Sequence, residues 1–205
     1  MNPLRCILAL QFATTLVLGQ TAHPAKPPNP PEAVARNLYQ IVVARHPIGI
    51  PRGPDMTAIA PFLSTALLHR MNLAYACEGD FFRHNPDPHL KPAFEWLDLG
   101  LFSGDDEPAS PTAFHIQATH VEPDGTIHAY VKLTHAEKPP FRPWSWRVAA
   151  VLTRENDQYV IDDVIYLKTG NELADYRLSQ ALSWGCDGPR WIGLPKRLTA
   201  SRQQR

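Results

Sequence analysis

The order of periodic segments predicts an α+β domain. Two stretches with helical hydrophobic period come first, between residues 32 and 77. Four strand-like runs follow between residues 112 and 167, grouped as two hairpins, and a last helical stretch covers residues 171–184. Helices that precede strands, instead of alternating with them, indicate α+β packing around one antiparallel sheet.

Ahead of that domain stands an export signal. Residues 1–19 read MNPLRCILALQFATTLVLG. Arg5 and the amino terminus form a positive n-region, Cys6 to Leu18 a short apolar run, and Gly19 or Ala22 a small residue after which cleavage is expected. The run is too short for a comfortable membrane span, so no stable span is expected after cleavage. An uncleaved amphipathic anchor is the competing reading. The mature protein is therefore expected to be exported, as a periplasmic or secreted protein. Residues 20–31 make a Pro-rich linker around HPAKPPNPP. A single domain is expected over residues 32–195, followed by a disordered basic tail over residues 196–205.

Within the domain, EAVARNLYQIVVAR places Val34, Leu38, Ile41 and Val42 on one helical face, with Pro31 just ahead. A Pro/Gly loop at 46–54 separates it from DMTAIAPFLSTALLHRMNLAYAC, where Leu63, Leu67, Met71, Ala74 and Tyr75 keep the same period. Pro61 fits a helix only in its first turn. Residues 78–111 read as a long ordered loop with an aromatic group of Phe81, Phe82, Phe94, Trp96 and Phe102. TAFHIQATHV and TIHAYVKLT flank the turn residues EPDG, and WSWRVAAVLTR and QYVIDDVIYL flank ENDQ. In the second run Ile127, Ala129, Val131 and Leu133 alternate with His128, Tyr130, Lys132 and Thr134. NELADYRLSQALSW reads as the closing helix, ended at Gly185.

Composition excludes some functions. Of 205 residues, Lys+Arg and Asp+Glu each total 20, so the chain has no global basic field and no nucleic-acid partner is expected. There is no phosphate-cradling glycine loop, no GxSxG elbow and no nucleotide fingerprint, so no cofactor is expected. The 9 histidines show no zinc-type spacing, and His115 and His120, five apart, would face opposite sides of a regular strand. His84 and His89 with Asp80 and Asp87 could form a mixed site, but solvated histidines explain them better, and no metal is expected. Glu78 and Asp80 read as loop carboxylates just past a helix end.

Asp162 and Asp163 are the most enzyme-like residues. In a regular strand Asp162 shares a face with Val160, Val164 and Tyr166, and Asp163 with Tyr159, Ile161, Ile165 and Leu167. A strand-borne carboxylate pair is ruled out unless a bulge intervenes. Either one, facing a cavity alone, could act as general acid or base. The simpler alternative is one inward Asp held by hydrogen bonds, with the other in solvent.

The aromatic candidates for ligand binding are Tyr166, Trp144, Trp146 and Trp191, with Trp144 and Trp146 on one strand face. WGCDGPRWIGLP, residues 184–195, could lid a pocket or cover an apolar sheet. In an oxidising compartment Cys77 and Cys186 are expected to pair, closing a loop of about 110 residues. Two buried thiols are the alternative, and a catalytic thiol is not expected because neither has a local His partner.

AVARNLYQIVV, the helix ending in YACEGDFF, and WRVAAVLTRENDQYVIDDVIYL together resemble the nuclear-transport-factor-2-like superfamily, and most closely its bacterial branch, the domain of unknown function 3828 family. The resemblance covers roughly residues 32–183, with Tyr159 where that family would have Trp. It implies a cone, in which helices pack on a strongly curved antiparallel sheet. It transfers no catalytic residue.

The resulting expectation is a non-enzymatic exported module, monomer or homodimer, that binds a small apolar molecule, an envelope component or a protein partner. The alternatives are a cavity enzyme using Asp162 or Asp163, and an immunity or inhibitor protein with an exposed apolar patch near Trp191 and Ile192.

Overall fold

The computed structural model describes residues 29–87, 89–90, 92, 94–104, 110–137, 140–167 and 176–193. The expected export signal, most of the expected Pro-rich linker and the expected basic tail lie outside the described residues.

Helix α1 spans Pro31–Arg45 with Pro31 in its first turn, where a missing N–H costs nothing. It buries Val34, Leu38, Tyr39 and Val42 against the sheet. The second helical stretch is not continuous. It divides into α2, Gly53–Ile59, a 3₁₀ turn at Ala60–Phe62, and α3, Thr65–His84. Pro61 removes a donor at the break, and Ser64 starts the new helix by accepting the Leu67 N–H at 2.8 Å. The extended residues between the helices dock on the sheet, where the Ser64 N–H donates to the Ile161 carbonyl at 2.9 Å. Helix α3 runs on past Cys77, so Glu78 and Asp80 are helical and not loop residues.

The sheet comprises β1, Ala113–Val121; β2, Ile127–His135; β3, Trp144–Glu155; β4, Gln158–Leu167; and β5, Tyr176–Arg177. Of the predicted closing helix, residues 171–175 lie outside the described residues, Tyr176 and Arg177 pair with β4 instead, and α4 spans Leu178–Leu182. A small hairpin of β6, Cys186–Asp187, and β7, Arg190–Trp191, ends the described chain. Among the described residues no helix is long and apolar enough to cross a membrane.

Helices before sheet is the order found, but the expected cone is not. All five strands pair in sequence order, β1-β2-β3-β4-β5, as an antiparallel meander with β1 and β5 left as edges. The physical reason is local. Tight turns at Glu122–Thr126 and at Asn156–Asp157 make each strand's sequence neighbour its partner, and β5 is too short to extend the wall. The sheet stays open, with the helices on one face.

That inner face holds the main core. Trp146, Val148, Ala150 and Leu152 of β3 face it with Ile127, Ala129, Val131 and Leu133 of β2, the alternation read from the sequence. Phe94, Trp96, Leu101 and Phe102 of the long loop are buried beside them. Three aromatic donors hold that loop by consecutive carbonyls: Tyr166 Oη to Leu101 at 2.7 Å, Tyr39 Oη to Phe102 at 3.0 Å, and Trp146 Nε1 to Ser103 at 2.7 Å. Gly104 follows at φ +70°, where an added Cβ would sit 2.5 Å from the Tyr166 ring. Burial pushes the Tyr39 hydroxyl pKa well above its ordinary value.

Candidate functional site

Two bulges decide which side chains meet. In β4 the register passes from Ile161 opposite Leu152 to Asp163 opposite Val151, leaving Asp162 as the extra residue. Beyond the bulge the alternation is inverted. Ile161 and Val164 both reach the main core, while Ile165 turns to the other face. The face assignments expected for a regular strand are therefore corrected: Asp163 is no longer a neighbour of Ile161, and Asp162 and Asp163 line one shallow cleft.

Sharing a cleft does not make them a catalytic pair. Asp163, side chain 9 % exposed, accepts the Val164 N–H at 2.9 Å, the Ser179 N–H at 3.0 Å and the Ser179 hydroxyl at 2.7 Å, with Arg177 at 3.6 Å. It anchors the start of α4 to the sheet. Asp162 accepts the Ser64 hydroxyl at 2.6 Å and sits 3.5 Å from Arg70, which also donates to the Asp162 carbonyl. Each carboxylate is held by its own hydroxyl and its own guanidinium. Neither faces an enclosed cavity.

The aromatic candidates divide similarly. Tyr166 and Trp146 use their polar atoms on the loop carbonyls described above. Trp144 stacks on Trp146 with ring centroids 4.6 Å apart and stays half exposed near Phe141 in sequence. Trp191 lies edge-on to Phe81 at 5.1 Å, and its N–H donates to Asp80 Oδ2 at 2.9 Å. In the segment from Trp184 onward, Cys186 and Gly188 border a small cavity of about 260 Å³ beside Arg70 and Leu182. The segment packs on α3, joined to it by the Cys77–Cys186 disulfide. The N–H of Trp191, then Arg83 and His84, hold the Asp80 carboxyl below the usual carboxylate range.

The second bulge, at Gln117 in β1, acts on the histidines. His115 lies opposite Lys132, and His120 opposite His128. Both therefore face the same side of the sheet, not opposite sides as their odd spacing predicted.

That side is the outer face, and its register sets out three rows from β1 towards β4. The first is His115, Lys132, Arg147 and Leu167; the second Ala118, Tyr130, Ala149 and Ile165; the third His120, His128, Val151 and Asp163. Ala149, Val151 and Ile165 form a small apolar floor with Tyr130 and Leu167, separate from the main core. Beside it, meeting it at Tyr130, lies an open groove of about 550 Å³, lined by Gln117, Ala118, His120, Tyr130 and Arg147 among others. Next to it the Asp162–Asp163 cleft adds about 360 Å³, and the two share Glu122. His120 and His128 flank the Tyr130 ring at 5.5 and 6.2 Å, and His128 Nδ1 lies 3.4 Å from Glu122. No described helix contributes to the apolar floor.

No family model, curated protein or solved structure matches the chain.

Ser64, Arg70, Arg177, Ser179 and Tyr130 are site residues that sequence reading did not single out. Only the alternation of β2, which sets Tyr130 and Lys132 opposite the core positions, carried a signal for them.

Proposed function

We propose that the protein is an exported, non-enzymatic binding domain whose ligand lies along the outer face of the sheet. The observation that carries this reading is the outer face itself: a groove lined by Ala118, His120, Tyr130 and Arg147 that meets a small apolar floor at Tyr130, on a face to which no described helix adds apolar cover. An apolar base with a few converging polar groups is the common form of a small-molecule site. The carboxylates support binding over catalysis, since the hydrogen bonds of Asp162 and Asp163 go to structural partners. Export is supported by the disulfide, a bond that persists in oxidising compartments.

Native mass spectrometry of the exported protein, repeated denatured with and without reductant, tests both parts. The expected results are a mature mass starting after Gly19 or Ala22, a two-hydrogen deficit that reductant restores, and an adduct lost on denaturation. Amide shifts on rebinding the released adduct should cluster at His120, Tyr130, Ala149 and Ile165. An adduct whose shifts fall elsewhere would overturn the groove assignment, and a full-length unprocessed mass would overturn export.

A further inference from the structure

The first row of the outer face carries a charge arrangement that folding alone does not favour. Lys132 and Arg147 are directly opposite in the β2–β3 ladder, and His115 is directly opposite Lys132 in the β1–β2 ladder. Like charges at directly opposed positions destabilise a sheet. All three side chains are exposed, and none makes an ion pair or hydrogen bond among the described residues. Elsewhere on the surface Arg36, Arg45, Arg52, Arg83, Arg154 and Arg190 each lie against a carboxylate. The chain as a whole is neutral, so a general basic excess does not explain the row.

Charge is also sorted along the groove. The carboxylates of this face, Glu122, Asp124, Asp162 and Asp163, gather at its turn end. Arg177 and Arg70 at that end are paired with Asp163 and Asp162, while Lys132 and Arg147, unpaired among the described residues, stand at the other end, with Tyr130 between. The bulge at Gln117 keeps His115 in line with Lys132 while letting His120 join His128.

From this we infer that the row His115–Lys132–Arg147 binds a phosphate group, and that the ligand is a phosphomonoester whose ring or apolar body lies against Tyr130 and His120. The inference rests on the outer-face reading and adds the ligand class. Strands about 4.8 Å apart put three side chains across about 10 Å, within reach of one phosphate and its ester oxygen. A phosphomonoester carries close to two negative charges near neutral pH and three acceptor oxygens. The Arg147 fork can take two of those oxygens side by side, and Lys132 a third. The bound anion would relieve the repulsion that the empty row carries.

Phenyl phosphate is the probe, with benzyl alcohol as its uncharged counterpart, followed by amide shifts on the folded, oxidised protein. Phenyl phosphate is expected to saturate, to shift Lys132, Arg147 and Tyr130, and to weaken when salt rises from about 50 to about 500 mM. Its affinity should fall about tenfold in Arg147→Gln and further in the Lys132→Gln/Arg147→Gln double variant. Lys132→Gln without ligand should melt at the wild-type temperature or above it, because it relieves a like-charge pair. Unchanged affinity in the double variant, or a lower melting temperature for Lys132→Gln, would overturn the assignment. Equal binding of phenyl phosphate and benzyl alcohol at Tyr130 would overturn the phosphate class and leave the groove standing. No shift from either probe would remove the groove as well.

Discussion

Asp163 shows how a residue with catalytic chemistry becomes structural. It is nearly buried, yet its two oxygens accept two backbone N–H groups and one hydroxyl. Replacing it by Ala leaves those donors unsatisfied, at about 1–3 kcal/mol for a buried one. Asp163→Ala is expected to lower unfolding stability by about 2–3 kcal/mol in urea titration, with the loss centred on α4. Asp162→Ala should cost less, about 1–2 kcal/mol, because it leaves one buried donor, the Ser64 hydroxyl, without its acceptor, while the part-exposed Arg70 turns to water. A larger loss at Asp162 than at Asp163 would contradict these assignments. The residue types were legible in the sequence, but their partners were not. Ser64 and Ser179 lie 98 and 16 residues away from the carboxylates they meet.

At the scale of elements, the bulges carry the most information. In each, one strand has an extra residue where its partner has none, so the register on both sides agrees only if that residue is looped out. Deleting Gln117 would leave Ile116 opposite Val131 and Ala118 opposite Tyr130, a regular ladder. This deletion is expected to keep the protein folded, with a melting temperature within about 5 °C of wild type. Deleting Ala129, fully buried in central β2, should abolish the cooperative transition, because it turns the following core positions outward. Thermal melts of the two deletions test this directly. The hairpins and α1 were legible from period and turn residues. The break at Pro61 was only half legible: proline marked a limit, but the docking of Ser64 on β4 that makes the break useful is a long-range contact.

For the whole molecule, the disulfide is the longest covalent constraint. Cys77 and Cys186 are 109 residues apart, and their bond ties the β6–β7 hairpin to α3, closing a loop that contains every strand of the five-stranded sheet. In the chain-entropy account a loop of that size restrains the unfolded chain by about 4–5 kcal/mol. The Cys77→Ala/Cys186→Ala double variant is therefore expected to lose about that much stability, read from the urea midpoint in non-reducing buffer. Trp191, edge-on to Phe81, should gain solvent exposure and shift its emission to longer wavelength. A variant that unfolds at the wild-type midpoint would show that the hairpin's noncovalent contacts suffice.

The sequence by itself determined the α+β order, the two hairpins and the core face of β2, and pointed to the pairing of Cys77 with Cys186, because each rests on local period, turn chemistry or counting. Only the tertiary structure decided that the sheet stays an open meander and not a cone, and where β1 and β4 loop out a residue. Those choices depend on how strands pair with partners, and alternation along one strand cannot reveal an extra residue until the neighbouring strand is laid beside it. By inverting the faces, the bulges placed His115 in line with Lys132 and Arg147 and sent Asp163 to the start of α4.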